Sequence, residues 1–128
     1  MSGAGARAAR ERVETSWISV CAVDRLTPDR GVAALVDGRA VAVFRLSDGS
    51  LHAIDNVDPC SGASVLSRGL VGDLAGVATV ASPLYKHVFD LRTGHCLDDG
   101  DGPGLATYPA RISGGTVEIG LPADRSGP

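Results

Sequence analysis

Short apolar runs broken by glycine-bearing turns make up the body of this chain, and a 3.6-residue helical stripe is nowhere sustained. Trp17-Ile18-Ser19-Val20 opens the body, and Thr27-Pro28-Asp29-Arg30-Gly31 reads as a turn from its proline, aspartate and glycine. Val32 to Val36 is followed by Asp37-Gly38, a pair that favours a two-residue type I′ hairpin. Arg39 to Leu46 returns with only partial alternation of polar and apolar residues, which predicts burial on both faces at one end. Ser47-Asp48-Gly49-Ser50 then turns into Leu51 to Ile54, completing a three-stranded meander. Val77 to Val80 and Val88 to Leu91 pair as a small hairpin with the intervening segment at its tip and Arg92-Thr93-Gly94 as the turn behind it. Residues 98 to 104 form an acidic, glycine-rich surface loop. Ala106 to Ile112 and Thr116 to Leu121 form a terminal hairpin around Ser113-Gly114-Gly115. The pattern predicts an all-β fold of small antiparallel sheets.

The ends lack this pattern. Residues 1–16 have helix propensity but no apolar face to dock them, so they read as a flexible tail. Residues 17–121 form the domain, and 122–128 a second flexible tail. Aromatics are only 4% of the chain, so valine, alanine, leucine and isoleucine must build the core. The net charge of −3 and the single lysine, Lys86, argue against nucleic-acid binding. No apolar run approaches the roughly 18–20 residues that cross a bilayer, so no membrane association is expected and the expected location is cytoplasmic. Cys21, Cys60 and Cys96 form no Cys-x-x-Cys pair and are expected as thiols there.

Two loops carry the candidate chemistry. They read Asn56-Val57-Asp58-Pro59-Cys60-Ser61-Gly62-Ala63 and Ala81-Ser82-Pro83-Leu84-Tyr85-Lys86-His87-Val88-Phe89-Asp90. Both resemble the ligand loops of Rieske proteins, patterned Cys-Pro-His-x-Gly-Ala and Cys-Pro-x-His-x-x-x-Phe-Asp. The order of segments across residues 17–121 is similar to the Rieske-like β fold as well, which places the degenerate cluster-binding region partly on a hairpin. A Rieske 2Fe–2S centre takes two thiolates on one iron and two imidazoles on the other. Here Asp58 and Ser82 stand at the cysteine positions, and Cys60 and Tyr85 at the histidine positions. One cysteine among four positions does not hold such a cluster, and Asp58 is a hard oxygen donor.

Another metal would have to draw on Cys60, His87 and Asp58, with His95 or Cys96, and none of these lies at a recognised zinc spacing. No metal site is expected. His87 and His95 read as partly exposed strand residues, His52 as an ordinary solvent-face residue, and Cys60 as a small, partly buried filler of the collapsed cluster space. The glycines at 100, 102 and 104 precede no helix, so they form no phosphate loop. Pro59 and Pro83 preset turn geometry, and Gly62 permits a conformation that larger residues resist. Loops kept on a rigid scaffold without their chemistry are suited to docking. Arg68, Tyr85 and Lys86 are the expected contacts.

Finer details resemble the small subunits of assimilatory NAD(P)H-dependent nitrite reductases, a group that keeps the Rieske-like fold without the cluster ligands. The matching phrases are Asn56-Val57-Asp58-Pro59, Val65-Leu66-Ser67-Arg68-Gly69-Leu70-Val71-Gly72-Asp73, Ala81-Ser82-Pro83-Leu84, Cys96-Leu97-Asp98-Asp99 and Tyr108-Pro109-Ala110-Arg111. Cys60 departs from that pattern, which has an aromatic there. The resemblance implies a non-catalytic subunit without a cofactor of its own, supporting a large subunit that carries siroheme, a 4Fe–4S cluster, FAD and the NAD(P)H site and reduces nitrite to ammonium. Two other roles suit the same fold: a Rieske-type 2Fe–2S ferredoxin that carries electrons, and a binding module of another redox enzyme.

Overall fold

A computed structural model describes residues 15–84, 87–98 and 102–122. Among these residues ten strands form three antiparallel sheets. β2 (Gly31–Val36), β3 (Arg39–Arg45), β4 (Leu51–Asp55) and β8 (Thr107–Tyr108) make the central sheet in that order. β1 (Thr15–Ala22), β10 (Thr116–Pro122) and β9 (Ala110–Ser113) make the second, and β5 (Leu70–Leu74), β6 (Val77–Ala81) and β7 (Val88–Asp90) the third. The only helical pieces among the described residues are 3-10 turns at Val23–Arg25 and Leu66–Arg68. The ordered strands reach from Thr15 to Pro122, slightly outside the span from Trp17 to Leu121 that the pattern predicts.

Strand β3 explains how three thin sheets are held together around two cores. Val41, Ala42, Val43 and Phe44 are consecutive and all fully buried. Because successive side chains on a strand face opposite ways, the run supplies two cores at once. Val41 and Val43 join Val36, Ala53, Val117, Ile119 and Leu121 in the core shared with the β1–β10–β9 sheet. Ala42 and Phe44 join Ile54, Leu66, Val80, Phe89 and Leu91 in the core shared with the β5–β6–β7 sheet.

The turns follow their residues. Asp37 and Gly38 both have positive φ, 52° and 82°, as a type I′ turn requires, and Val36 pairs with Arg39 across it. Strand β5 is absent from the sequence reading. It pairs with β6 from Leu70↔Ala81 to Leu74↔Val77, around a turn in which Ala75 takes φ 53° and Gly76 φ 86°. Leu70 and Leu74 are 78% and 55% exposed, so this edge strand lacks the apolar inward pattern that marks a strand. An alanine in the left-handed region also hides the turn.

The third sheet positions the second loop, because β6 and β7 pair in register Thr79↔Asp90, Val80↔Phe89 and Ala81↔Val88. β4 ends at Asp55, where the first loop begins. Tyr108 on β8 donates to Asp55 Oδ1 at 2.6 Å and fastens that strand end to the neighbouring edge.

Candidate functional site

Buried Asn56 organises the first loop at its base. Its N–H donates to Ala40 O at 2.9 Å, and its carbonyl accepts from Val65 and Leu66 N–H at 3.0 Å each. Its side-chain Oδ1 accepts from Ser67 N–H at 2.7 Å. The loop therefore leaves and returns to the central sheet at one residue. Within it, Asp58 N–H donates to Ala63 O and Gly62 N–H to Asp58 O, both at 2.8 Å. Gly62 takes φ 79°, where a side chain would be strained.

Asp58 and Ser82, the residues at the two cysteine positions, meet in the interior. They are 0% and 1% exposed. Ser82 Oγ donates to Asp58 Oδ2 at 2.5 Å, while Asp58 Oδ1 accepts from Cys60 N–H at 2.8 Å. Ser82 Oγ in turn accepts from Leu84 N–H at 3.3 Å, and Ser82 N–H donates to His87 O at 2.9 Å. A direct hydrogen bond thus joins the two loops where the cluster of a Rieske protein would join them. The residues do not fit a 2Fe–2S cluster. Two oxygens in hydrogen-bond contact leave no gap for an iron between them, and neither supplies the thiolate that such an iron takes.

The remaining positions separate. Cys60 is exposed, which corrects its assignment as a partly buried filler. Asp58 turns inward to accept the Cys60 N–H, a turn of the kind short acidic side chains form with the residue two positions on, and Cys60 is left on the outside. The space is closed by Asp58 and Ser82 instead. Tyr85 and Lys86 lie outside the described residues, as do 99–101 within the acidic loop and the tail residues 1–14 and 123–128. Arg68 is exposed at the end of its 3-10 turn and lines a surface cleft with Asp29, Gly31 and Leu70. Val57 and Leu84, one in each loop, are 38% and 49% exposed.

The histidines divide as well. His52, on β4, is partly buried, its Nε2 lies 3.1 Å from Ser50 Oγ, and burial pushes its imidazole below the ordinary range. His95 is exposed and stands outside the strands. His87 is half-buried at the entrance to β7 and lies beside Cys96 and Asp98, a convergence that linear spacing does not reveal. Asn56 and the Asp58–Ser82 pair are likewise missed from sequence as an interacting set. Their signal is chemical complementarity between the two ligand positions: a carboxylate at one and a hydroxyl donor at the other.

The model of the Rieske-like [2Fe-2S] domain family matches residues 16–120. The chain is similar to the nitrite reductase (NADH) small subunit of Salmonella typhimurium, 41% identical over 106 residues that cover 82% of this chain and 97% of that protein. A crystal structure of a candidate NADH-dependent nitrite reductase small subunit from Mycobacterium tuberculosis superposes with a TM-score of 0.82 at 49% identity, covering 87% of this chain and 99% of that one. The chain is also 38% identical over 104 residues to a segment of the nitrite reductase [NAD(P)H] large subunit of Klebsiella oxytoca, covering 81% of this chain but only 11% of that protein. Similarity extends to the anthranilate 1,2-dioxygenase ferredoxin subunit of Burkholderia cepacia, at 33% identity over 87% of this chain and 97% of that subunit.

Proposed function

Because the chain belongs to the Rieske-like domain family and, within it, to the nitrite reductase small subunits, we propose that it is the accessory subunit of an NAD(P)H-dependent nitrite reductase, which converts nitrite to ammonium. It binds no cluster and is not itself catalytic. Siroheme, a 4Fe–4S cluster, FAD and NAD(P)H belong to the large subunit. This chain acts by binding: a partner that prefers the folded, active form of the large subunit stabilises that form in proportion to its occupancy.

The observation that carries this reading is the buried Asp58–Ser82 hydrogen bond. It ties the two loops together with protein groups, so the loop scaffold keeps its shape with no iron to hold it. The similarity to one segment of a large subunit supports the partnership, since a domain joined covalently in one protein is suited to stand beside the same partner in another. The docking face is the loop tip, where Val57 and Leu84 expose apolar surface next to Tyr85 and Lys86 in the chain, with Arg68 as a further contact. Of these residues, Tyr85 and Arg68 are of the types enriched at interface centres.

Copurification with a tagged siroheme-containing large subunit tests the proposal. The chain is expected to comigrate with it, and alanine at Leu84, Tyr85 and Lys86 together should weaken the complex by at least about tenfold, the effect of one strong anchor lost. Recovery of another redox enzyme in place of the siroheme protein would overturn the partner assignment. An intact complex with the triple variant would overturn the loop-tip docking face alone.

A further inference from the structure

We infer that His87, Cys96 and Asp98 form a binding site for a divalent transition-metal ion of zinc type, at the β7 end of the second loop and on side chains other than those at the cluster positions. Their ligand atoms lie within 4.8 Å of one another. Cys96 Sγ is 3.2 Å from Asp98 Oδ1 and 3.9 Å from His87 Nδ1, and His87 Nδ1 is 3.9 Å from Asp98 Oδ1. A tetrahedral zinc ion with ligands at about 2.0–2.3 Å holds its donor atoms roughly 3.3–3.7 Å apart. The observed triangle needs only side-chain adjustments of a few tenths of an ångström to accept it.

The backbone supports this arrangement. Cys96 bridges Phe89 opposite β7, Leu97 N–H donates to Val88 O at 2.7 Å, and Val88 N–H donates to Asp98 Oδ1 at 3.3 Å. His87 on one side, and Cys96 and Asp98 two positions apart on the other, therefore come from two adjoining extended segments. Cys96 Sγ is buried, whereas the His87 and Asp98 side chains are 31% and 49% exposed. The set thus has a buried base and an open side, which leaves a fourth coordination position for water.

The chemistry closes as well. On binding, the Cys96 thiol gives its proton to solvent and a sulfur–metal bond forms; His87 and Asp98 complete the set. One thiolate and one carboxylate neutralise the dication, and one sulfur, one nitrogen and one oxygen suit a borderline ion such as zinc better than magnesium or calcium. An occupied site would fasten β7, the exit strand of the second loop, to the segment that follows its turn.

The test is titration of the full-length, chelator-treated chain under reducing conditions with Co²⁺ and then Zn²⁺. One Co²⁺ per chain should bind with thiolate-to-cobalt absorption, and Zn²⁺ should displace it. The His87→Gln/Asp98→Asn double variant spares the buried Cys96, and it should lower affinity by at least about a hundredfold, since even outer partners of a metal ligand are worth 10- to 100-fold. Cys60→Ser should leave the absorption unchanged. No thiolate band in the unaltered chain would overturn the site, as would undiminished binding by the double variant or loss of the band in Cys60→Ser.

Discussion

At the scale of single residues, the central replacement is an interaction and not a mere deletion. Asp58 and Ser82 are buried and bonded to each other, so removing either leaves its partner short of a hydrogen bond in the interior. Asp58→Ala and Ser82→Ala should each destabilise the domain by about 1–3 kcal/mol, with the double variant costing clearly less than their sum, as urea denaturation would register. Additive losses would show that the two side chains do not act as a pair. His52 makes a separate prediction about pH. Burial lowers its folded-state pKa from the ordinary 6.5, so the unfolded chain takes up a proton first as the medium is acidified. The stability contributed by neutral His52 is complete above about pH 6.5 and falls as pH drops through that value toward the folded pKa. His52→Gln should flatten that stretch of the stability curve, and an unchanged slope would assign it to other groups. That Asp58, Cys60, Ser82 and Tyr85 do not make up a Rieske ligand set is legible in the sequence, because ligand identity is a property of single positions. The bond between two of the replacements is not, since it depends on how two loops 24 residues apart face each other.

At the scale of elements, turns with conventional residues were readable and disguised ones were not. Asp37-Gly38 announced its hairpin, whereas Ala75-Gly76 concealed an equivalent turn and with it β5. Alanine in the left-handed region costs about 1–2 kcal/mol, and asparagine tolerates it better. Ala75→Asn should therefore stabilise the domain by about 0.5–1 kcal/mol, seen as a raised unfolding midpoint in denaturant. The start of β5 is also tightly placed. A Cβ at Gly69 would lie 2.4 Å from Ala81 O and 2.7 Å from Val80 Cγ2. Gly69→Ala should push β5 away from β6 beside Ser82 and cost about 1–3 kcal/mol by overpacking. A neutral effect in the same denaturation assay would mean that the two strands part without strain. The His87–Cys96–Asp98 convergence belongs to this scale too. It arises from pairing across the turn behind β7, which linear spacing does not display.

At the scale of the whole molecule, three sheets among the described residues surround two cores, and the Asp58–Ser82 hydrogen bond joins the two loops they carry. The doubly buried run of β3 was visible as a break in alternation, and its meaning is that the central sheet serves both cores. The all-β class and loop order were legible for the same reason: each rests on local pattern and turn chemistry. The docking face proposed for Arg68, Tyr85 and Lys86 depends on a second protein, so the sequence offers the residues without fixing their partner. The most direct measurement of the central claim is nitrite-dependent NAD(P)H oxidation by the large subunit, with this chain added in iron-free form or after iron–sulfide reconstitution. Equal stimulation by both preparations is expected if the chain works by binding alone. Stimulation that appears only after a cluster has been built into this chain would contradict it.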